Sequence, residues 1–146
     1  MHRIIVCERG GTWAAELARR VAGSGIRVRQ TRSLALCEVE LAASPRSLLV
    51  LEAWPENVGS LIEFMRLPER RGWTAPRVIV GGRDARPYFA VLREAGGCLG
   101  IESPRQLGAV VALAKRYFAQ LPQGRPPLAE EVWAKLPWED ESTAAA

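Results

Sequence analysis

The chain has 146 residues, 48% of them hydrophobic and 25% charged, with a formal net charge of +4. That length holds one domain whose core can stand without disulfide or metal staples. No apolar run approaches the ~20 residues that span a bilayer. The first apolar run, residues 4–7, is too short for a signal peptide, so a cytoplasmic protein that avoids membranes is expected.

The three cysteines, Cys7, Cys37 and Cys98, are an odd number at wide spacing without a C-x-x-C pair. This argues against a disulfide framework and a zinc site. Each stands in an apolar run and reads as a small buried hydrophobe. His2 is the single histidine, which leaves histidine-based catalysis or metal ligation little to work with.

Charge is unevenly spread. Residues 123–146 carry two bases and five acids, whereas residues 1–122 carry 18 bases and 11 acids. A basic body with an acidic tail suits nucleic acid, an acidic partner, or a tail that folds back. The arginines (Arg3, Arg19, Arg27, Arg46, Arg77, Arg93 among them) are scattered rather than massed in a stripe with aromatics between, which weighs against nucleic acid.

Two periodicities alternate along the chain. Ile4-Ile5-Val6-Cys7 is a continuous apolar run, as in a strand buried on both faces. Gly10-Gly11 turns the chain, and Thr12 is the expected N-cap of a helix carrying Trp13, Leu17 and Val21. Gly23-Ser24-Gly25 stops it. Residues 26–30 alternate with period two, as a half-exposed edge strand does. Leu34, Cys37, Glu38 and Leu41 suit a second helix ending before Pro45.

The third strand, residues 48–51, runs straight into Glu52 and the turn Trp54-Pro55. Val58, Leu61, Ile62 and Met65 then form a helical stripe, and residues 68–76 read as a charged loop. Residues 77–80 make a fourth buried strand closed by Gly81-Gly82. A short helix over 86–95 uses Phe89 and Leu92 and ends at Gly96-Gly97, before a fifth strand at 98–101. The last helix, about 105–121, carries Leu107, Val110, Val111, Ala114, Tyr117, Phe118 and Leu121.

Five strands and five helices in strict alternation predict an α/β three-layer sandwich around a five-stranded parallel sheet. The edge character of the second strand favours the order 2-1-3-4-5. The domain runs over 1–121. Residues 122–146 read as a Pro-rich linker and an acidic, Trp-containing tail, in which Leu128, Val132, Trp133, Leu136 and Trp138 form a partner-binding or self-masking segment.

In an open parallel sheet, chemistry collects at the carboxyl ends of the strands. Glu8 and Glu52 could meet there as a cation-binding or acid–base pair, or more simply form a solvated rim neutralised by Arg9 or Arg83. Arg9-Gly10-Gly11-Thr12 is a thin phosphate-loop pattern, equally explained by a turn and a cap.

The order of elements and the turns over residues 3–121 resemble the receiver domain of bacterial response regulators, a flavodoxin-like fold. The family pattern has an acidic pair after strand one, a phosphorylatable aspartate after strand three, a Ser or Thr after strand four and Lys-Pro after strand five. Here Cys7-Glu8, Glu52, Gly81-Gly82 and Ser103-Pro104 stand in those places. The resemblance therefore implies a degenerate phospho-acceptor pocket at Glu8, Glu52, Gly81 and Ser103, a pseudo-receiver without catalytic residues, metal or cofactor. It implies a signalling or adaptor module of two-component type, working by protein–protein contact. Its partner would engage the tail or the face of the fourth and fifth helices, where Tyr88 and Tyr117 stand, and a homodimer is one form of that contact. The alternative is a small flavodoxin-like enzyme or nucleotide- or ligand-binding protein using the Glu8/Glu52 edge.

Overall fold

The computed structural model describes residues 2–67 and 74–121. Five parallel strands, β1 (His2–Cys7), β2 (Ile26–Thr31), β3 (Leu48–Glu52), β4 (Arg77–Val80) and β5 (Gly97–Ile101), form one sheet in the order β2-β1-β3-β4-β5. Among the described residues the helices are α1 (Thr12–Arg20), α2 (Leu34–Ala43), α3 (Val58–Met65), α4 (Phe89–Glu94) and α5 (Leu107–Gln120). This is the predicted doubly wound sheet and strand order. The chain divides into a body, Met1–Arg116, and a second unit, Tyr117–Ala146, whose described part is the end of α5 and Leu121.

The apolar runs of β1, β3 and β4 are buried because both faces of the central sheet are covered. Side chains alternate between those faces. Ile5, Cys7, Leu49, Leu51, Ala53 and Ile79 join Cys37 and Leu41 of α2, Leu61, Phe64 and Met65 of α3, and Phe89 and Leu92 of α4 in one core. Ile4, Val6, Leu48 and Val50 have the opposite parity and are fully buried, as are Leu17 of α1 and Leu107 and Val110 of α5. Glu8 and Glu52 share the parity of this second set. Only β2 alternates between half-buried and exposed positions, and it lies on the sheet edge as its period-two pattern requires.

Several details differ from the sequence reading. Thr12 does not cap α1: the N-cap is Gly11, which offers no side chain, and Thr12 is already helical. Cys98 is exposed, not buried, because β5 is the other edge strand and its neighbours Gly97 and Gly100 leave it little cover. The fourth and fifth helices each open with a 3-10 turn, Arg86–Tyr88 and Pro104–Gln106, with proline in the first turn where its missing N–H costs nothing. Residues 68–73 of the expected charged loop, and the whole tail, lie outside the described residues.

Arg77 ties the carboxyl ends of two helices together. Its Nη1 donates to the Met65 carbonyl at 3.2 Å and its Nε to the Gly96 carbonyl at 3.3 Å. A cation there satisfies carbonyls that the helix ends leave unpaired. Gly96 adopts φ +130°, and a Cβ would lie 3.2 Å from that guanidinium, so glycine serves both the turn and the approach of Arg77.

Candidate functional site at the carboxyl edge of the sheet

The parallel register sets Glu8 and Glu52 one residue beyond the paired ends Cys7 and Leu51 of neighbouring strands. Both carboxylates therefore leave the same edge on the α1 side of the sheet, and the structure brings them to a common partner. Glu8 is only 1% exposed. Its Oε1 accepts from the Trp13 N–H at 3.2 Å and its Oε2 from the Ala14 N–H at 2.6 Å. These are the second and third residues of α1, the donors an N-cap side chain would ordinarily satisfy. Glu8 supplies the cap that Gly11 lacks, and its charge faces the positive end of the helix dipole.

Glu52 is engaged as fully. Its Oε1 accepts from the Arg9 backbone N–H at 2.9 Å, with the Arg9 Nε 3.8 Å away, and its Oε2 accepts from the Trp13 indole N–H at 3.2 Å. The Arg9 guanidinium in turn stacks over Trp54, 4.1 Å from the ring centroid, a cation–π contact that holds it across the opening. Asn57 fixes the β3–α3 turn, accepting from the Trp54 N–H at 2.8 Å and donating to the Glu52 carbonyl at 2.9 Å. All four oxygens of Glu8 and Glu52 are thus met by N–H groups of the chain itself.

The solvated rim expected for this pair is corrected for Glu8, which is buried as a helix cap. Arg9 does neutralise Glu52 as expected, whereas Arg83 lends its carbonyl to the turn that ends at Arg86. The missed residue is Trp13. Its spacing with Leu17 and Val21 marks an apolar stripe, and the signal for its second role is a polar-tipped aromatic at the second position of a helix with no capping side chain.

Gly81 and Ser103 follow β4 and β5 as expected. A Cβ on Gly81 would lie 2.7 Å from the Ala85 Cβ and 2.8 Å from the Ala53 carbonyl oxygen, so this position excludes any side chain as well as a hydroxyl. The Ser103 hydroxyl caps the next 3-10 turn, accepting from the Arg105 N–H at 3.3 Å. Tyr88 packs against the core, and Tyr117 stacks obliquely on Phe118 within the second unit. Leu128, Val132, Trp133, Leu136 and Trp138 lie outside the described residues.

Cys7 stands beside the acids. Burial pushes its thiol above the ordinary value, Thr31 partly offsets this, and the charges of Glu52 and Glu8 add to it. Burial pushes the Cys37 thiol up to about 12. Both are neutral, poorly nucleophilic thiols at physiological pH.

Solved structures with the same architecture are receiver domains of response regulators. The receiver domain of the TMAO respiratory system response regulator TorR superposes with a TM-score of 0.64 at 25% identity, covering 82% of this chain and 98% of that one. The fold is that of a receiver domain. A CheY-like protein, tadZ, from Pseudomonas aeruginosa matches with a TM-score of 0.65 at 17% identity, over 86% of this chain and 99% of that one. An atypical orphan response regulator, described as having a phosphorylation-independent regulatory mechanism, matches at 0.64 and 17%, over 83% and 98%. No protein-family model matches the chain, and neither does any curated protein.

A receiver fold implies Mg²⁺ at this edge, and the residues present do not fit it. A hard cation of this kind wants several oxygen ligands, yet Glu8 and Glu52 spend their oxygens on N–H donors and a thiol stands in the third place. Among the described residues no group of three or more His, Cys, Asp or Glu is placed to hold a metal ion. Among the same residues, no helix is long and apolar enough to cross a membrane.

Proposed function

We propose that this chain is a pseudo-receiver: a non-catalytic signalling or adaptor domain of the bacterial cytoplasm that works by protein contact and does not transfer phosphate. The observation that carries this reading is the closed acid pair. Trp13 reaches both carboxylates with its two N–H groups, and the backbone N–H groups of Arg9 and Ala14 take the other oxygen of Glu52 and of Glu8. A phosphorylatable site needs a free carboxylate oxygen for the incoming phosphorus and a cation to neutralise the charge. The chain uses these oxygens to hold the start of α1 and the β1–α1 loop instead. The departures at Gly81 and Ser103 agree, since Gly81 carries no hydroxyl and Ser103 no ammonium to offer a phosphoryl group.

In this reading the partner is a protein, met through the tail segment around Trp133 or through the surface of α4 and α5. The alternative, an enzyme or ligand-binding protein using the Glu8/Glu52 edge, would have to displace Trp13 and Arg9 first. Thermal melting with Mg²⁺ and beryllofluoride, a phosphoryl mimic, tests the proposal. An unchanged Tm is expected, and a concentration-dependent rise would overturn it, because a ligand of the folded state stabilises by mass action.

A further inference from the structure

Three guanidiniums gather on one side of the β2 edge. Arg3 of β1 pairs in register with Arg27 of β2, and Arg29 stands two residues further along the same face. Neighbouring strands lie ~4.8 Å apart, so these side chains are close neighbours. Two of them share a single carboxylate: Glu40 of α2 takes Arg3 on Oε2 and Arg29 on Oε1, both at 3.2 Å. Arg27 is exposed and makes no ion pair among the described residues. Beside this cluster α2 presents Leu36 and Val39, 54% and 65% exposed, two of the three exposed large hydrophobics among the described residues.

We infer that the outer edge formed by β2 and α2 docks an acidic, aliphatic segment of a partner protein, with Arg3, Arg27 and Arg29 taking its carboxylates and Leu36 and Val39 its apolar side chains. The inference rests on the non-catalytic reading above and adds to it a further contact surface, separate from the tail and the α4 and α5 face, with a partner chemistry of its own. Charge chooses the occupant. A second copy pairing edge to edge would set Arg27 and Arg29 against their own images, the like-charge device by which edge strands resist self-association. Nucleic acid is the weaker fit, because neither β2 nor α2 carries an aromatic ring on which a base could stack. An acidic amphipathic helix supplies both carboxylates and aliphatic anchors at matching spacing.

The full-length chain is titrated by fluorescence anisotropy with a labelled 16-residue amphipathic peptide bearing glutamates on one face and leucines on the other. A glutamine version, anionic vesicles and a 20-nucleotide single strand are run alongside. The acidic peptide is expected to bind, with affinity falling about tenfold or more (~1.4 kcal/mol per decade) in Arg27→Glu/Arg29→Glu. Leu36→Ser/Val39→Ser should weaken it several-fold, and the glutamine peptide should bind as poorly as the charge-reversed variant. All of these positions are exposed, so melting curves confirm that the variants fold. Equal binding by wild type and the charge-reversed variant, no binding at all, or tighter arginine-dependent binding of vesicles or nucleic acid would overturn the inference. Incubation of the same preparation with a phosphodonor separates the two claims. Absent peptide binding in a chain that stays unmodified defeats the docking surface alone, whereas a phosphoryl mass gain defeats the non-catalytic reading whatever the peptide does.

Discussion

Trp13 donates its backbone N–H to Glu8 and its indole N–H to Glu52, each at 3.2 Å. One residue thus spans the two acids that in a working receiver would share a cation. The consequence is mechanical: the start of α1, the end of β1 and the end of β3 are joined through uncharged donors that cannot dissociate as an ion does.

Trp13→Phe keeps most of the ring packing and removes the indole donor. Loss of a hydrogen bond to a charged group leaves the partly buried Glu52 short of a partner, at a cost of about 1.5–3 kcal/mol. Urea denaturation should show that loss with an unchanged m-value. Stability equal to wild type would mean that the contact is incidental.

Glu8→Gln tests the cap. An amide can present one oxygen to the α1 N–H groups, but its NH₂ must then face the other donor, and the charge opposite the helix dipole is lost. A destabilisation of about 1–3 kcal/mol is expected. A neutral result would show that Glu8 is not needed to start α1.

Restoring the family hydroxyl with Gly81→Thr should not restore a sensor. The new Cβ would press on Ala85 and the Ala53 carbonyl, both under 3.0 Å, and overpacking of this kind costs about 1–3 kcal/mol. A variant as stable as wild type would show that the β4–α4 turn yields more easily than its backbone contacts imply.

The cysteines separate by exposure and by pH. Cys98 should react at once with a thiol reagent at pH 8, while Cys7 and Cys37 react only after unfolding. Raised thiol pKa values mean that the folded state favours the neutral form. This contribution is complete below the ordinary value of 9.0 and is lost as pH climbs toward about 12. Wild type should therefore lose Tm more steeply than Cys37→Ala between pH 9 and 11. Parallel slopes would contradict the assignment.

Much of this was legible in the sequence because the sheet is written in burial. Continuous apolar runs at Ile4-Ile5-Val6 and Leu48-Leu49-Val50, short and bounded by turn residues, suit covered strands, and the alternation Ile26-Arg27-Val28-Arg29 suits an edge. The carboxylate positions followed from where those runs stop. The closure of the site did not, because it depends on Trp13 reaching Glu52, 39 residues away in the chain. Local pattern sees an aromatic at helical spacing and assigns it to the core, which is also true: Trp13 is buried while its indole N–H does polar work. Thr12 misled for a related reason. It has the right chemistry for a cap, but the cap came from Glu8, from before the turn. The apolar neighbours of Cys98 suggest burial, but its place on an edge strand leaves it exposed.

The most direct test of the central claim is intact-mass analysis after incubation of the full-length chain with a small phosphodonor and Mg²⁺. The closed acid pair predicts an unchanged mass in wild type and in Glu52→Ala alike. A gain of one phosphate in wild type that disappears in Glu52→Ala would contradict it, and would make this edge a working phospho-acceptor.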